Sequence, residues 1–232
     1  KLHFNYFYQS DFSFAPMISQ AGYCKSTLLC HLIQEITLPH HPKYGKDIFL
    51  FVSARDIFDD RDEYSNIEDR IKSYLSLSPN INLYTYFNDR YTATNSRLVI
   101  LIDGFSDVVT NKVSKPIIFD KLINLISGIG NDSAIKLVFS MRSTMWSRFF
   151  DRIKHMPFIK GKWFKGTYFN AKDQTNIPPM ADSEIDDILN RISPEQSEKI
   201  DESVKNKLRY PFYITWFYLI KEEFPQSDSF TN

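Results

Sequence analysis

The sequence predicts an α/β fold: a parallel sheet flanked by helices, followed by a small helical domain. Three observations lead there. Short apolar runs alternate with helix-period patterns through the first two thirds of the chain, which is the signature of βαβ units. Leu98 to Ile102 is apolar without a break, as expected of a strand buried on both faces. Beyond a linker at 176–180, which holds Pro178 and Pro179, the patterns are helical. The expected division is an α/β domain over 1–175 and a helical domain over 181–232.

Each element has its own reason. Phe12 to Ile18 reads as the first strand, with Pro16 an awkward member because it brings no N–H to a ladder. Ser26 to Ile36 reads as a helix. Leu28, Leu29, Leu32, Ile33 and Ile36 form a stripe at helical spacing, and Pro39 stops it. Ile48 to Val52 is the second strand, apolar throughout and expected to be covered on both faces. Asn66 to Leu77 is helical, with Ile67, Ile71, Tyr74 and Leu75 on one side. After the strand at Leu98 come a helix over Phe119 to Ile126 and a strand over Ile135 to Phe139. A helix over Met145 to Ile153 then buries Trp146, Phe149 and Phe150. Trp163 to Phe169 reads as a last strand. In the helical domain, Asp182 or Ser183 caps a helix carrying Ile185, Ile188, Leu189 and Ile192. Ser193-Pro194-Glu195 starts another, and Pro211 to Glu223 forms the last.

Bulk properties set limits. The 232 residues suit one large domain, or a sheet domain with a smaller helical partner. At 43% hydrophobic and 24% charged, the chain has the composition of a protein with a sizeable core, not of a disordered one. The 28 basic and 28 acidic residues cancel, so no global charge draws the chain to nucleic acid or to an anionic membrane. Aromatic residues at 16% read as an aromatic-rich core. Cys24 and Cys30 form no CxxC pair, which argues against a disulfide framework and a zinc site. His40-His41 lies between Pro39 and Pro42 and reads as a loop. No apolar run approaches membrane-span length and no signal peptide opens the chain, so a cytoplasmic location is expected. The chain begins without Met and ends on a polar tail, which suggests a piece of a longer protein.

The chemistry centres on Ser19-Gln20-Ala21-Gly22-Tyr23-Cys24-Lys25-Ser26, which follows the first strand and opens the first amphipathic helix. In a phosphate-binding P-loop, backbone N–H groups and a helix N-terminus surround the phosphates. A lysine adds a point charge, and the adjacent hydroxyl ligates Mg²⁺. The literal pattern GxxxxGK[ST] needs glycine at 19 and 24, where this chain has Ser19 and Cys24; only Gly22 remains. Taken alone, Lys25-Ser26-Thr27 is also compatible with a capped helix and a solvated lysine. A second signal supports the loop. Leu98-Val99-Ile100-Leu101-Ile102-Asp103-Gly104 is a buried strand ending in an acid, the Walker B shape in which aspartate holds Mg²⁺, although Asp-Gly turns are common in their own right.

Taken in order, these segments resemble a STAND-class NTPase of the NACHT type, over residues 12 to about 220. Phe49 to Asp56 is similar to the family's second strand with its Arg-Asp ending, and Val99 to Asp107 to its Walker B run. Leu137 to Arg142 is similar to its sensor strand, and Tyr210-Pro211-Phe212 to its proline motif. The resemblance implies that Ser19, Gly22, Tyr23 and Cys24 line the nucleotide, with Lys25 on the β- and γ-phosphates and Thr27 near the α-phosphate. It implies Ser26 and Asp103 on Mg²⁺, Arg142 sensing the γ-phosphate, and Pro211 bordering the base. Arg142 also reads as a surface arginine, Pro211 as a helix-start proline and Arg55 as a salt-bridge partner. Where the family carries paired acids after Walker B, this chain has Ser106-Asp107, so Asp107 alone is left to orient the attacking water.

The leading expectation is therefore an ATP- or ADP-binding switch module of a signalling or defence protein, weak or slow as an ATPase. Effector and sensor domains elsewhere in a longer chain, and homo-oligomerisation on activation, go with it. The alternative is a pseudo-NTPase scaffold that keeps the fold without the nucleotide. A third class, a nucleic-acid-handling ATPase, draws on Lys154, Lys160, Lys162 and Lys165 interleaved with Phe158, Trp163 and Phe164. That segment reads better as a part-buried strand with one solvated face, so nucleic acid is not an expected partner.

Overall fold

A computed structural model of the chain describes residues 2–38, 41–58, 66–108, 114–130, 134–192 and 200–223. The expected helix start at Ser193 and the half of the histidine pair at His40 lie outside them. The chain divides into two compact units, Lys1–Gln20 with Lys25–Asn176, and Ala21–Cys24 with Ile177–Asn232.

The first unit opens with helix α1 (Leu2–Gln9), strand β1 (Phe14–Ser19), helix α2 (Lys25–Ile36) and strand β2 (Ile48–Ser53). Helices α3 (Ala54–Ile57), α4 (Ile67–Tyr74) and α5 (Leu83–Thr94) lead to strand β3 (Leu98–Asp103). Helices α6 (Phe105–Val108) and α7 (Ser114–Gly128) lead to strand β4 (Ile135–Arg142), then α8 (Ser143–Ile153) and α9 (Pro157–Gly161). The strands form a sheet of order β1-β4-β3-β2, and every pair is parallel. Parallel strands need crossovers, and the helices supply them on both faces.

Alternation along β3 shows why its sequence is apolar throughout. Leu98, Ile100 and Ile102 join the core built with α4, α5, α7 and α8, while Val99 and Leu101 join the opposite core with α1 and α2. All five are wholly buried. β2 departs from that expectation. It is an outer strand, and the α1–α2 layer reaches Phe49 but leaves Phe51 41% exposed. The stripe of α2 is narrower than its spacing suggested: Leu29 and Ile36 are buried, and Leu28 faces solvent. Tyr74 of α4 is likewise exposed.

β1 resolves the difficulty of Pro16. On its β4 side, Ser13 O accepts from Leu137 N–H, while Phe14 turns its N–H and C=O outward to Lys162 and Phe164. With a period of two, Pro16 and Ile18 also turn outward, so the missing N–H of Pro16 falls on the sheet edge. Asn176 covers the rest of that edge. Its Nδ2 donates to Pro16 O at 2.7 Å, its Oδ1 accepts from Ile18 N–H at 2.7 Å, and its backbone N–H donates to Ile18 O at 2.9 Å. The expected last strand over Trp163 to Phe169 is not formed. Trp163 makes an isolated bridge to Phe14, and its ring fills the core against Trp146 and Phe150.

The second unit holds α10 (Asp182–Ile192), α11 (Glu202–Leu208) and α12 (Pro211–Glu223). Ile185, Leu189, Ile200, Leu208 and Phe217 form its core. Neither Asp182 nor Ser183 precedes α10, because both lie inside it. The Glu184 carboxylate accepts from Ala181 N–H at 2.8 Å, reaching back over the first turn as in one half of a capping box. Among the described residues, no helix is long and apolar enough to cross a membrane.

Candidate functional site

In a parallel sheet all strand ends of one kind share an edge, and ligands of open α/β sheets bind outside the carboxyl ends. Here that edge carries Ser19, Arg142, Asp103 and Ser53, with Ser19 opposite Arg142 and Ser53 opposite Asp103 in register. β4 pairs with both β1 and β3, so its polar end at Ser140–Arg142 lies between the loop after β1 and the acid that ends β3.

The loop after β1 has the backbone of a tight turn into a helix. Gly22 adopts φ +80° and Cys24 φ +50°, both left-handed, and Lys25 is then the first residue of α2. The glycine that the motif places at 24 would take this conformation without strain, whereas the cysteine carries a Cβ into it. The Lys25 ammonium turns back on the loop, donating to Ser19 Oγ at 3.0 Å and to Gln20 O at 2.8 Å. Ser26 and Thr27 are exposed in the first turn of α2, where the backbone N–H groups lack helical partners. Ala21–Cys24 groups with the second unit: the Tyr23 ring lies 5.0 Å from that of Tyr210. A Cβ on Gly22 would stand 2.8 Å from Phe212 Cβ, so that position needs glycine for space as well as for φ. Pro211 opens α12 in the same unit.

At the end of β3, Asp103 accepts a hydrogen bond from Ser140 Oγ, and Ser140 Oγ accepts from Gly104 N–H at 3.0 Å. Ser140 is 3% exposed. It thus fixes the acid and the turn that follows, and Gly104 takes φ +80° in that turn. The sequence reading assigned Ser140 no role. Its signal in the sequence is a hydroxyl that follows the apolar run Leu137-Val138-Phe139. Ser106 Oγ accepts from Arg142 N–H at 3.0 Å, which ties α6 to the end of β4. Asp107 lies 3.8 Å from the Arg142 guanidinium, with both side chains about half exposed, where such a pair contributes little to stability. Arg142, Asp107 and Asp103 are therefore brought to adjacent strand ends, and Lys25 to the end of β1. The Ser26 hydroxyl and the Asp103 carboxylate are hard oxygen donors of the kind Mg²⁺ takes. Among the described residues, no group of three or more His, Cys, Asp or Glu side chains could hold a metal by itself.

The basic and aromatic residues at 154–165 do not form one exposed stripe. Lys162 is buried and its ammonium donates to Ile126 O at 3.1 Å and Ser127 O at 3.2 Å, closing the C-terminal end of α7. Trp163 is buried beside it.

No family model matches the chain, and no curated protein matches it in sequence. Solved structures do match. The ORC2 protein of Aeropyrum pernix, in ADPNP–ADP complexes, superposes with a TM-score of 0.51 at 14% identity, over 93% of this chain and 58% of that one. CDC6P from Pyrobaculum aerophilum gives 0.49 at 12% identity, over 97% and 60%. A Walker-type ATPase of Pyrococcus abyssi gives 0.48 at 10% identity, over 91% and 63%. The chain spans less than two thirds of each of these proteins. It has the α/β fold of the P-loop ATPases, with a parallel four-stranded sheet and a helical part after it.

Proposed function

We propose that this chain is a nucleotide-binding P-loop module that holds ATP or ADP with Mg²⁺ at the carboxyl edge of the sheet. The observation that carries the reading is the succession of a strand end, a loop with two left-handed residues, and Lys25 at the first turn of a helix. It stands in one sheet with a strand that ends in Asp103. Lys25 contacts the terminal phosphates, and the amide groups of Ser26 and Thr27 face the phosphate chain. Ser26 and Asp103 would hold Mg²⁺, which would supply charge neutralisation on the phosphates. Asp107 orients water and Arg142 senses the γ-phosphate. Asp107 is one methylene shorter than glutamate, and Ser106 is engaged with the backbone of Arg142. Turnover is accordingly slow. Slow turnover suits a switch whose output is a shift between ADP- and ATP-bound populations. The order of segments supports placing the module in a STAND- or NACHT-like signalling or defence protein with effector and sensor domains, and with oligomerisation as its output. Calorimetry with Mg²⁺-ATP tests the core claim: Lys25→Ala abolishes binding, and an unchanged affinity in that variant would refute it.

A second reading is supported by Cys24. A Cβ and a sulfur beside Lys25 obstruct close approach of phosphate to the loop backbone, as in a pseudo-NTPase scaffold. Under that reading ATP with Mg²⁺ leaves the melting temperature unchanged, and Cys24→Gly restores a shift.

A further inference from the structure

We propose that Ser19 sets the nucleotide affinity of the loop by holding the Lys25 ammonium against the loop's own oxygens, so that nucleotide must displace this contact to bind. The inference rests on the phosphate-loop reading above. Ser19 is the last residue of β1, wholly buried, and paired in register with Arg142 of β4. The sheet therefore fixes its hydroxyl in place. That hydroxyl donates to Gln20 O at 3.2 Å and accepts from Lys25 Nζ at 3.0 Å. A lysine has three protons to donate and no acceptor function. Here Gln20 O takes a second contact at 2.8 Å, and Ser19 O lies 3.5 Å away.

These contacts differ in what they owe to the sequence. Any residue at 19 or 20 offers a carbonyl. Only a side chain with an acceptor offers the third oxygen, and the glycine that the P-loop pattern places at 19 has none. Ser19 and Lys25 bracket the whole loop, so the bond between them closes the loop on itself. A phosphate that recruits Lys25 breaks a hydrogen bond to a charged donor, at a site where water is partly excluded. Ser19 thus raises the nucleotide concentration needed to fill the site, and the lysine is kept in reserve until that level is reached.

The test uses Ser19→Ala in the full chain. Ser19 is absent from the residues with positive φ, so alanine fits the strand without backbone strain. Two readouts are taken. The first needs no nucleotide: the rate at which a small amine-acylating reagent modifies Lys25, followed by peptide mass spectrometry. The rate rises several-fold in the variant if the hydroxyl holds the ammonium. The second is calorimetry with Mg²⁺-ATP, where the variant binds about tenfold tighter, equivalent to ~1.4 kcal/mol. An unchanged acylation rate overturns the proposal whatever the nucleotide does. A raised rate with unchanged or weaker ATP affinity also overturns it. A raised rate with no ATP binding by either protein supports the Ser19–Lys25 contact and overturns the nucleotide reading beneath it. Should alanine disturb the buried position, as judged by melting, Ser19→Gly gives the same two readouts.

Discussion

Cys24→Gly isolates one physical effect, because residue 24 is held at φ +50°. A left-handed conformation costs a residue with a Cβ roughly 1 kcal/mol that glycine avoids. Against that gain, glycine gives the unfolded chain more freedom, a loss of roughly 0.5–1 kcal/mol at an ordinary position. The thiol itself contributes little. It is only half-buried, and it donates a long hydrogen bond to Gly22 O at 4.0 Å. The expected net effect is a stabilisation of between 0 and about 0.5 kcal/mol, or a rise of at most about 2 °C in a chain of this size. Cys24→Ala sharpens the test, since alanine keeps the Cβ and the strain. At an ordinary position alanine is the more stable of the two by roughly 0.5–1 kcal/mol; here the strain offsets that advantage, so glycine equals alanine or exceeds it by up to about 0.5 kcal/mol. Urea unfolding followed by tryptophan fluorescence is a suitable assay. Trp146 and Trp163 are buried in the first unit and Trp216 lies on α12 in the second, the unit that groups with residue 24, so the emission reports both. An alanine variant more stable than the glycine variant by roughly 0.5–1 kcal/mol would show that the backbone at 24 carries no strain. That result would also remove the physical case for Cys24 as a defect in the loop.

The buried Lys136 makes a pH-dependent prediction. Burial, and then the nearby Arg97, lower its pKa from 10.5 to about 8 despite Asp11, so the unfolded chain binds more protons between those two values. Stability therefore rises with pH from about 8 to about 10.5 relative to Lys136→Met, by up to about 3 kcal/mol, and the difference is flat below about pH 8. Urea titrations of both proteins at stepped pH check the slope, and parallel curves across that window would refute it. Asn176→Ala strands Pro16 O and the Ile18 N–H on the edge of β1, costing about 2–4 kcal/mol, measurable in the same titration.

What the sequence disclosed follows from how local each signal was. β3, the helix opened by Lys25 and the helix opened by Pro211 were legible because run length, spacing and a stop residue all agreed. α5 went unread because Leu83–Thr94 mixes aromatic and β-branched residues with no clear stripe. Its ends are set instead by Asn82, whose side chain accepts from Thr85 N–H, and by Asn95 in the left-handed region. α1 went unread although Phe4, Phe7 and Tyr8 are spaced for one helical face. Trp163 to Phe169 misled because its apolar residues fill the core as side chains, while its backbone meets β1 only at Phe14. At the site, Lys25 and Asp103 were visible as motif residues. Ser140 and Asn176 were not, since a single polar residue acquires meaning only when the fold brings its partner, 37 or 158 positions away, within reach.

The two ends of β4 show how this sheet separates scaffold from site. At its amino end, Lys136 is wholly buried and donates to Ser10 O at 2.5 Å and to Phe12 O at 2.7 Å. Those carbonyls belong to the link between α1 and β1, and they supply the hydrogen-bond partners that the buried ammonium needs. At its carboxyl end, Ser140 holds a carboxylate rather than a carbonyl, and Arg142 meets Asp107 where both are about half exposed. A carboxylate kept at a strand end costs solvation, and an exposed pair at 3.8 Å returns little of it. Stability alone therefore gives no reason for this concentration of charge. The function proposed above would give one, because a charged ligand arriving from solvent would draw on the lysine, the arginine and a cation held by Asp103 without any of them being buried in advance.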